Sequence, residues 1–402
     1  MKILLASDIS FNYFNSFPGK EKARECFEEV AQLFSEADFS MINLENVFGE
    51  KNDFVPIPKG GPNLISSYEF KEYIDALSPS VIGMANNHAR DYGKEPMLKT
   101  AEALRSSGYQ VIGAGNNIED AYLPAVLEKD GVHVEIFAVC ENEYGFATEE
   151  LAGSAGYKLW RVRKAIKCAR ERGSLPIIYF HGGNERNPYP SPGKVEMYRN
   201  FVEMGAAAVV AMHTHCPQGI EVYNGAPIIY SMGNFFFPFG GCEEYGIKTW
   251  SVGYMTALDI TGGGIALDII PYTFDFDSVK VLSGEERDRM LDYISKLSAP
   301  ISDAKKIRNL FDSWCLISGI GVTDQPRHVV HVDNFREDAM DSFKKLRVKN
   351  ASTTSYISIN NMFSCEAHNE LLRNTFNMIY EERCEAAMTG VEEILKLQRL
   401  EF

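Results

Sequence analysis

An α/β layered domain followed by a mostly helical C-terminal region is the fold class the sequence predicts, and three observations predict it. Short apolar runs alternate with stretches of 3.6-residue apolar period as far as about residue 275. The polar and glycine-rich segments that close those runs carry the residues able to do chemistry, where open α/β sheets place their sites. Beyond about Asp277 the texture changes and helical periodicity dominates. The expected division is therefore residues 1–277 and residues 278–402.

Taken in order, the apolar runs Lys2 to Ser7, Phe39 to Leu44, Val81 to Met84 and Gln110 to Gly113 read as strands. Val132 to Val139, Ile177 to Phe180, Val209 to Met212 and Ile228 to Ser231 follow the same pattern. Between them, Glu21 to Ser35, Ser67 to Leu77, Met97 to Ser107, Leu159 to Glu171 and Val195 to Met204 read as amphipathic helices. Tyr254 to Ile260 and Ile265 to Ile270 alternate about Gly262-Gly263-Gly264, which predicts a hairpin. In the C-terminal region Glu285 to Leu297, Asp303 to Ser313 and Glu366 to Gln398 read as helices and Gln325 to Asp333 as a strand.

The chain has 402 residues and a net charge of −15, so the average field repels nucleic acid. A small or oligomeric anionic substrate stays compatible, because bound cations dominate a local potential. Eight scattered cysteines without a CxxC argue against a disulfide framework or a zinc finger. The N-terminal apolar run is interrupted by Asp8, short of the ~7 to 15 apolar residues of a signal peptide. No transmembrane segment is expected. The expected location is the cytoplasm, with the envelope following only if a leader was removed.

Imidazoles and carboxylates recur where the strands end. His213-Thr214-His215 follows Val209 to Met212, and an H-x-H pair at a strand end points two rings at one region. His181 closes Ile177 to Phe180, while Asp8 and Glu45 end the first two strands with hard oxygens. In Asn86-Asn87-His88, the Asn87 amide oxygen suits a metal and leaves His88 for proton transfer near its ordinary pKa of ~6.5. Asp91 either orients that ring or stabilises the turn. Glu185, after His181, and Asn234, in Ser231 to Phe235, are the expected substrate contacts. Cys216 reads as buried packing; His133, His328, His331 and His368 lack partners at ligand spacing and read as structural. A hydrolase using one or two divalent metals is the leading expectation, and the imidazole and carboxylate set suits Mn, Fe or Zn.

The order of these motifs resembles the CapA family of poly-gamma-glutamate capsule biosynthesis proteins, related to the calcineurin-like metallophosphoesterases. Asp8, Asn43-Leu44-Glu45, Asn86 to Gly93, His181 to Glu185, His213-Thr214-His215 and Ser231 to Phe235 carry the resemblance over roughly residues 1 to 275. It implies a four-layer α/β/β/α sandwich with a two-metal site between strand-end loops. By position, Asp8, Glu45 and His215 would hold one metal and Glu45, Asn87, His181 and His213 the other, with His88 as proton donor. The chain departs from the pattern at Ser10, where the superfamily has a histidine, at Gly182, where the family has a tryptophan, and at Arg186, where a tyrosine is typical. The implied reaction is phosphoester hydrolysis by activated water. A gamma-glutamyl amide is the alternative electrophile, and binding or assembly without catalysis is a third reading.

Overall fold

The computed structural model describes residues 1–239, 247–319 and 353–401. Two sheets face each other. The first runs Val279–Val281, Gly264–Phe274, Val252–Thr261, Lys2–Ile9, Phe39–Leu44, Val81–Gly83, Gln110–Ile112, with Asn234–Phe236 also paired to Lys2–Ile9. Its strands from Lys2–Ile9 to Gln110–Ile112 are parallel, and the hairpin edge is antiparallel. The second runs Ile220–Tyr223, Ala226–Ile229, Ala208–Met212, Leu175–His181, Val132–Cys140, Ala125–Lys129, with parallel central strands and antiparallel edges.

Strand periodicity explains the layers. Ile3, Leu5 and Met41 meet Ile136, Ile177 and Val210 between the sheets. Their neighbours Leu4, Ala6 and Ile42 turn the other way, onto Ala23, Val30, Ile74 and Leu104 of the first helix layer. On the far side Ile178 and Val209 pack against Val162, Ile166 and Phe201 of Leu159–Glu171 and Pro192–Glu203. This is the four-layer α/β/β/α sandwich that the resemblance implied. One polar tie crosses the middle: the Tyr179 hydroxyl of the second sheet donates to the Ala6 carbonyl of the first at 2.5 Å. That carbonyl lies where the register shifts between Leu5 and Asp8, an irregularity that re-aims the strand end.

The C-terminal helices Gly284–Ser298, Ala304–Trp314, Glu366–Tyr380 and Cys384–Gln398 send Tyr293, Leu310, Leu371 and Ile394 into the cluster that also fills the space between the sheets. Two predicted helices are each broken in the structure. Glu21 to Ser35 divides into Lys20–Cys26 and Glu28–Glu36, with Phe27 at φ −111°, ψ 12° between them. Glu366 to Gln398 divides after Tyr380, with Glu382 at φ 55°. Neither break has a glycine or proline to announce it. Thr353–Ser364 is a further helix that apolar period did not reveal. The predicted strand Gln325 to Asp333, with His328 and His331, and Cys242 lie outside the described residues. All seven described cysteines are free, and no described helix is long and apolar enough to cross a membrane.

Candidate metal centre

Asp8, Glu45, His181, His213 and His215 come together between the C-terminal ends of the two sheets. Asp8 and Asn43 are register partners on adjacent parallel strands, and the Asn43 amide donates to Asp8 Oδ1 at 2.7 Å. The other carboxylate oxygen accepts the His213 backbone N–H at 3.0 Å, from the opposite sheet. His181 Nε2 stands 3.6 Å from Asp8 Oδ1 and 3.5 Å from Glu45 Oε2. His215 Nε2 stands 3.9 Å from Glu45 Oε1. Potential ligand atoms of Asp8, Glu45 and His181 lie within 4.8 Å of one another, and so do those of Glu45, His213 and His215. Glu45 is common to both groups, as a bridging carboxylate must be. Within these groups His181 lies with Asp8 and His213 with His215, while the His213 ring centroid is 4.6 Å from that of His181 and 5.8 Å from that of His215.

That turn is strained. His213 has φ 95° and His215 φ 54°, the left-handed region that costs a non-glycine residue about 1–3 kcal/mol. His213 is held there by the bond from its N–H to Asp8.

Both Glu45 oxygens, His181 Nε2, His213 Nδ1 and Asn87 Oδ1 are buried with no hydrogen-bond partner. Such groups cost roughly 1–3 kcal/mol each if left unmet, and more when charged. A divalent cation satisfies this donor set, which is made of hard oxygens and neutral imidazoles. Burial acts on the two kinds of donor in opposite senses. Burial pushes the Glu45 carboxyl up to about 8 and, with Glu45 beside it, Asp8 up to about 7. Burial pushes His181 down to about 4 and His213 well below its usual range, so both rings are neutral and ready to ligate.

The supporting groups explain how the loops are held. His215 Nδ1 lies 2.7 Å from Asn234 Oδ1, which leaves Nε2 turned towards Glu45. Asn234, expected to face a substrate, also donates its amide to the Trp250 carbonyl at 3.1 Å. Both ends of its amide are engaged within the protein, so it orients His215 instead. Asn86 bonds to Asn43 Oδ1 at 3.3 Å and to the Leu44 carbonyl at 2.8 Å, and it accepts the His88 N–H at 3.1 Å. This ladder of carboxamides fixes the Asp8, Glu45 and His88 loops to one another.

His88 Nε2 is 3.9 Å from Glu45 Oε1, and its Nδ1 is 2.6 Å from Asp91 Oδ2. Asp91 thus orients the ring, and it also accepts the Leu64 N–H at 2.7 Å. Lys59 was not anticipated: its ammonium lies 2.5 Å from Asp91 Oδ1 and 3.0 Å from His88 Nδ1. Burial and that ammonium push His88 down to about 4, away from the ~6.5 expected of it. His368, read as structural, lines a cavity with Asn87, His88 and Glu185. Glu185 lies at the mouth of the centre, where it also lines a second cavity with His215 and Arg186. His133 is half exposed on its strand edge, and Cys216 is buried with its thiol 3.3 Å from the Asn187 carbonyl. The Gly182 departure has a steric cause: a Cβ there would meet Glu141 Cγ at 2.5 Å. Glu141 is held in place by its ion pair with Lys194 and by the Gly183 N–H.

Residues 6–238, more than half of the 402, match the profile of the family described as bacterial capsule synthesis protein PGA_cap. The chain belongs to this family. Capsule biosynthesis protein CapA of Bacillus anthracis is 26% identical over 280 residues, 67% of this chain and 66% of that protein. PGA biosynthesis protein CapA of Bacillus subtilis is 26% identical over 231 residues, 57% of this chain and 60% of that protein. A probable polyglutamine synthesis accessory protein of Mycobacterium tuberculosis is 26% identical over 270 residues, 61% and 68% respectively. The chain thus aligns with about two thirds of the length of these relatives. Among solved structures, TT1561 of Thermus thermophilus overlays with a TM-score of 0.36 at 15% identity, covering 66% of this chain and 97% of that one. Every residue placed at the centre, from Asp8 to Asn234, falls inside the capsule synthesis match; His368 falls outside it.

Proposed function

We propose that this capsule synthesis family member is a metal-dependent hydrolase acting on a phosphoester, with Asp8, Glu45, Asn87, His181, His213 and His215 holding one or two divalent ions of the Mn, Fe or Zn kind. One observation carries the reading: buried, unpartnered oxygens and imidazole nitrogens from both sheets in a centre where Glu45 belongs to both ligand groups. Bound ions in such a centre supply an activated water and neutralise charge on the reacting group. The chain does the rest. Glu45 and Asp8 would hold the ions from one side and His213 and His215 from the other, and the carboxamide ladder keeps the loops in register. His88, held by Asp91, presents Nε2 to the site as a neutral ring. An anionic substrate beside it favours the protonated ring, so proton donation to the leaving oxygen is coupled to substrate binding.

Relatives named for PGA biosynthesis favour a second reading in which the same centre cuts a gamma-linked amide. Elemental analysis of protein purified without chelator, followed by assays with p-nitrophenyl phosphate and a gamma-linked glutamate oligomer, separates the two. The phosphoester reading requires at least one transition ion per chain and turnover of the first substrate that His213→Ala abolishes. Glutamate release alone transfers the assignment to the amide. A loaded protein that cuts neither is a binding or accessory protein.

A further inference from the structure

The centre has a second wall, made by helices beyond the family match. Glu366 accepts from the Asn142 backbone at 3.0 Å and from its amide at 2.6 Å, Asn184 donates to the Ala367 carbonyl at 3.2 Å, and Glu370 accepts the Gly193 N–H at 2.7 Å. These bonds tie Glu366–Tyr380 to the strand-end loops. Between helices and loops lies a cavity of about 330 Å³ that reaches Asn87 and His88 and is lined by Glu143, Asn184, Glu185, Asn361 and His368. That volume admits a small polar group.

Among the described lining residues unmet acceptors outnumber unmet donors, of which the Trp314 indole Nε1–H is one. Glu143 and Glu185 bring two carboxylates, and the one lysine among the described lining residues, Lys59, already pairs with Asp91. Asn361 donates its amide to Glu143 Oε1 at 3.3 Å and to His368 Nδ1 at 3.0 Å. Its Oδ1 is then left without a partner, as is the Oδ1 of Asn184. These two asparagines are 5% and 6% exposed and both line the cavity. Two carboxylates and two orphaned amide oxygens are all acceptors. Their complement is a group with several N–H donors and a positive charge, and a primary ammonium offers three donors on one cation.

We infer that this cavity is a subsite for the leaving group of the reaction and that it takes a primary ammonium: the substrate is an ester of an amine-bearing alcohol. Glu143 and Glu185 pair with the cation, and the Asn184 and Asn361 oxygens accept its remaining hydrogens. Helices whose place in the family chemistry is otherwise unassigned thereby choose the substrate. The reaction in this statement rests on the phosphoester reading; the ammonium rests on the cavity alone.

Calorimetry on the manganese-loaded full chain tests it with O-phosphoethanolamine and ethyl phosphate, which present the same phosphate with and without the ammonium. The amine is expected to bind tighter by about tenfold, the size of a charged hydrogen bond, and Glu143→Gln is expected to shrink that preference to about twofold or less. Equal affinities in the wild-type chain, which needs no variant to fold, overturn the subsite. So does a preference that survives Glu143→Gln and Glu185→Gln together in a folded chain. Turnover of both ligands is followed in the same samples: a retained preference without turnover keeps the subsite and removes the phosphoester reaction.

Discussion

The first sheet brings oxygen to the centre and the second brings nitrogen. Asp8 and Glu45 end neighbouring strands of one, while His181, His213 and His215 end neighbouring strands of the other. Burial acts on the two halves in opposite senses. It holds the imidazoles neutral, with His181 at about 4, which is the form that ligates. It holds the carboxyls protonated, Asp8 to about 7 and Glu45 to about 8, which is the form that does not. Metal uptake must therefore release protons from the first sheet and none from the second. Neither half closes a coordination sphere alone, so assembly depends on the two sheets docking.

The largest effect is expected at Glu45, the residue both groups share. Glu45→Gln should lower metal content and turnover by roughly 10³-fold, beyond the 10–100-fold typical of groups that only support a ligand. Metal-free Glu45→Gln should melt higher than metal-free wild type at pH 8, since an uncompensated buried carboxylate is gone. A variant that keeps its ions would dissolve the shared-ligand account. Next comes the asymmetry between sheets: His213→Ala and Asp8→Asn each remove a member of one group only, and elemental analysis should find the ion-to-chain ratio of each about half that of a doubly loaded wild type. Asn234→Ala, which frees the His215 ring and the Trp250 carbonyl but removes no ligand, should weaken metal affinity about 10–100-fold while leaving the ratio at saturating metal unchanged.

The smallest effect separates the two halves by pH. Asp8 and Glu45 have folded-state pKa values above their unfolded values of 3.8 and 4.5. Their contribution to stability is therefore greatest below those values and is lost as pH rises through about 7 and 8. His88 and His181 are depressed from 6.5 to about 4, so theirs is present above 6.5 and lost as pH falls through about 4. Metal-free protein should then lose melting temperature between pH 6.5 and 8. If the proposed centre binds manganese through the ionised carboxylates, the ion should abolish that loss and widen the gap between loaded and unloaded melting curves. A gap that stays constant across the range would show that the carboxyls are not the pH-sensitive half.

The α/β layering was legible because apolar runs and helical periods are local, and the four-layer sandwich came with the motif resemblance; which of Ile3, Leu4, Leu5 and Ala6 faces which layer, all being apolar, only packing shows. The edge strands Ala125–Lys129 and Ile220–Tyr223 were not legible, since each is only four or five residues long and partly exposed. The helix breaks at Phe27 and after Tyr380 escaped for a related reason, as ordinary residues there take unusual backbone angles. At the centre, the strand-end positions of Asp8, Glu45, His181 and the His-Thr-His turn announced the ligands. Lys59, which sits 32 residues from Asp91, and His368, which comes from a distant helix, had no spacing to betray them.

Sequence by itself determined which side chains stand at strand ends, because alternation along a strand is set by adjacent residues. Tertiary structure alone decided which of those ends face one another: which histidine groups with Asp8, that Asn234 serves His215, and that the C-terminal helices wall the cavity beside His88. Coordination and burial depend on distances across sheets and loops far apart in the chain, and those distances exist only after the layers have packed.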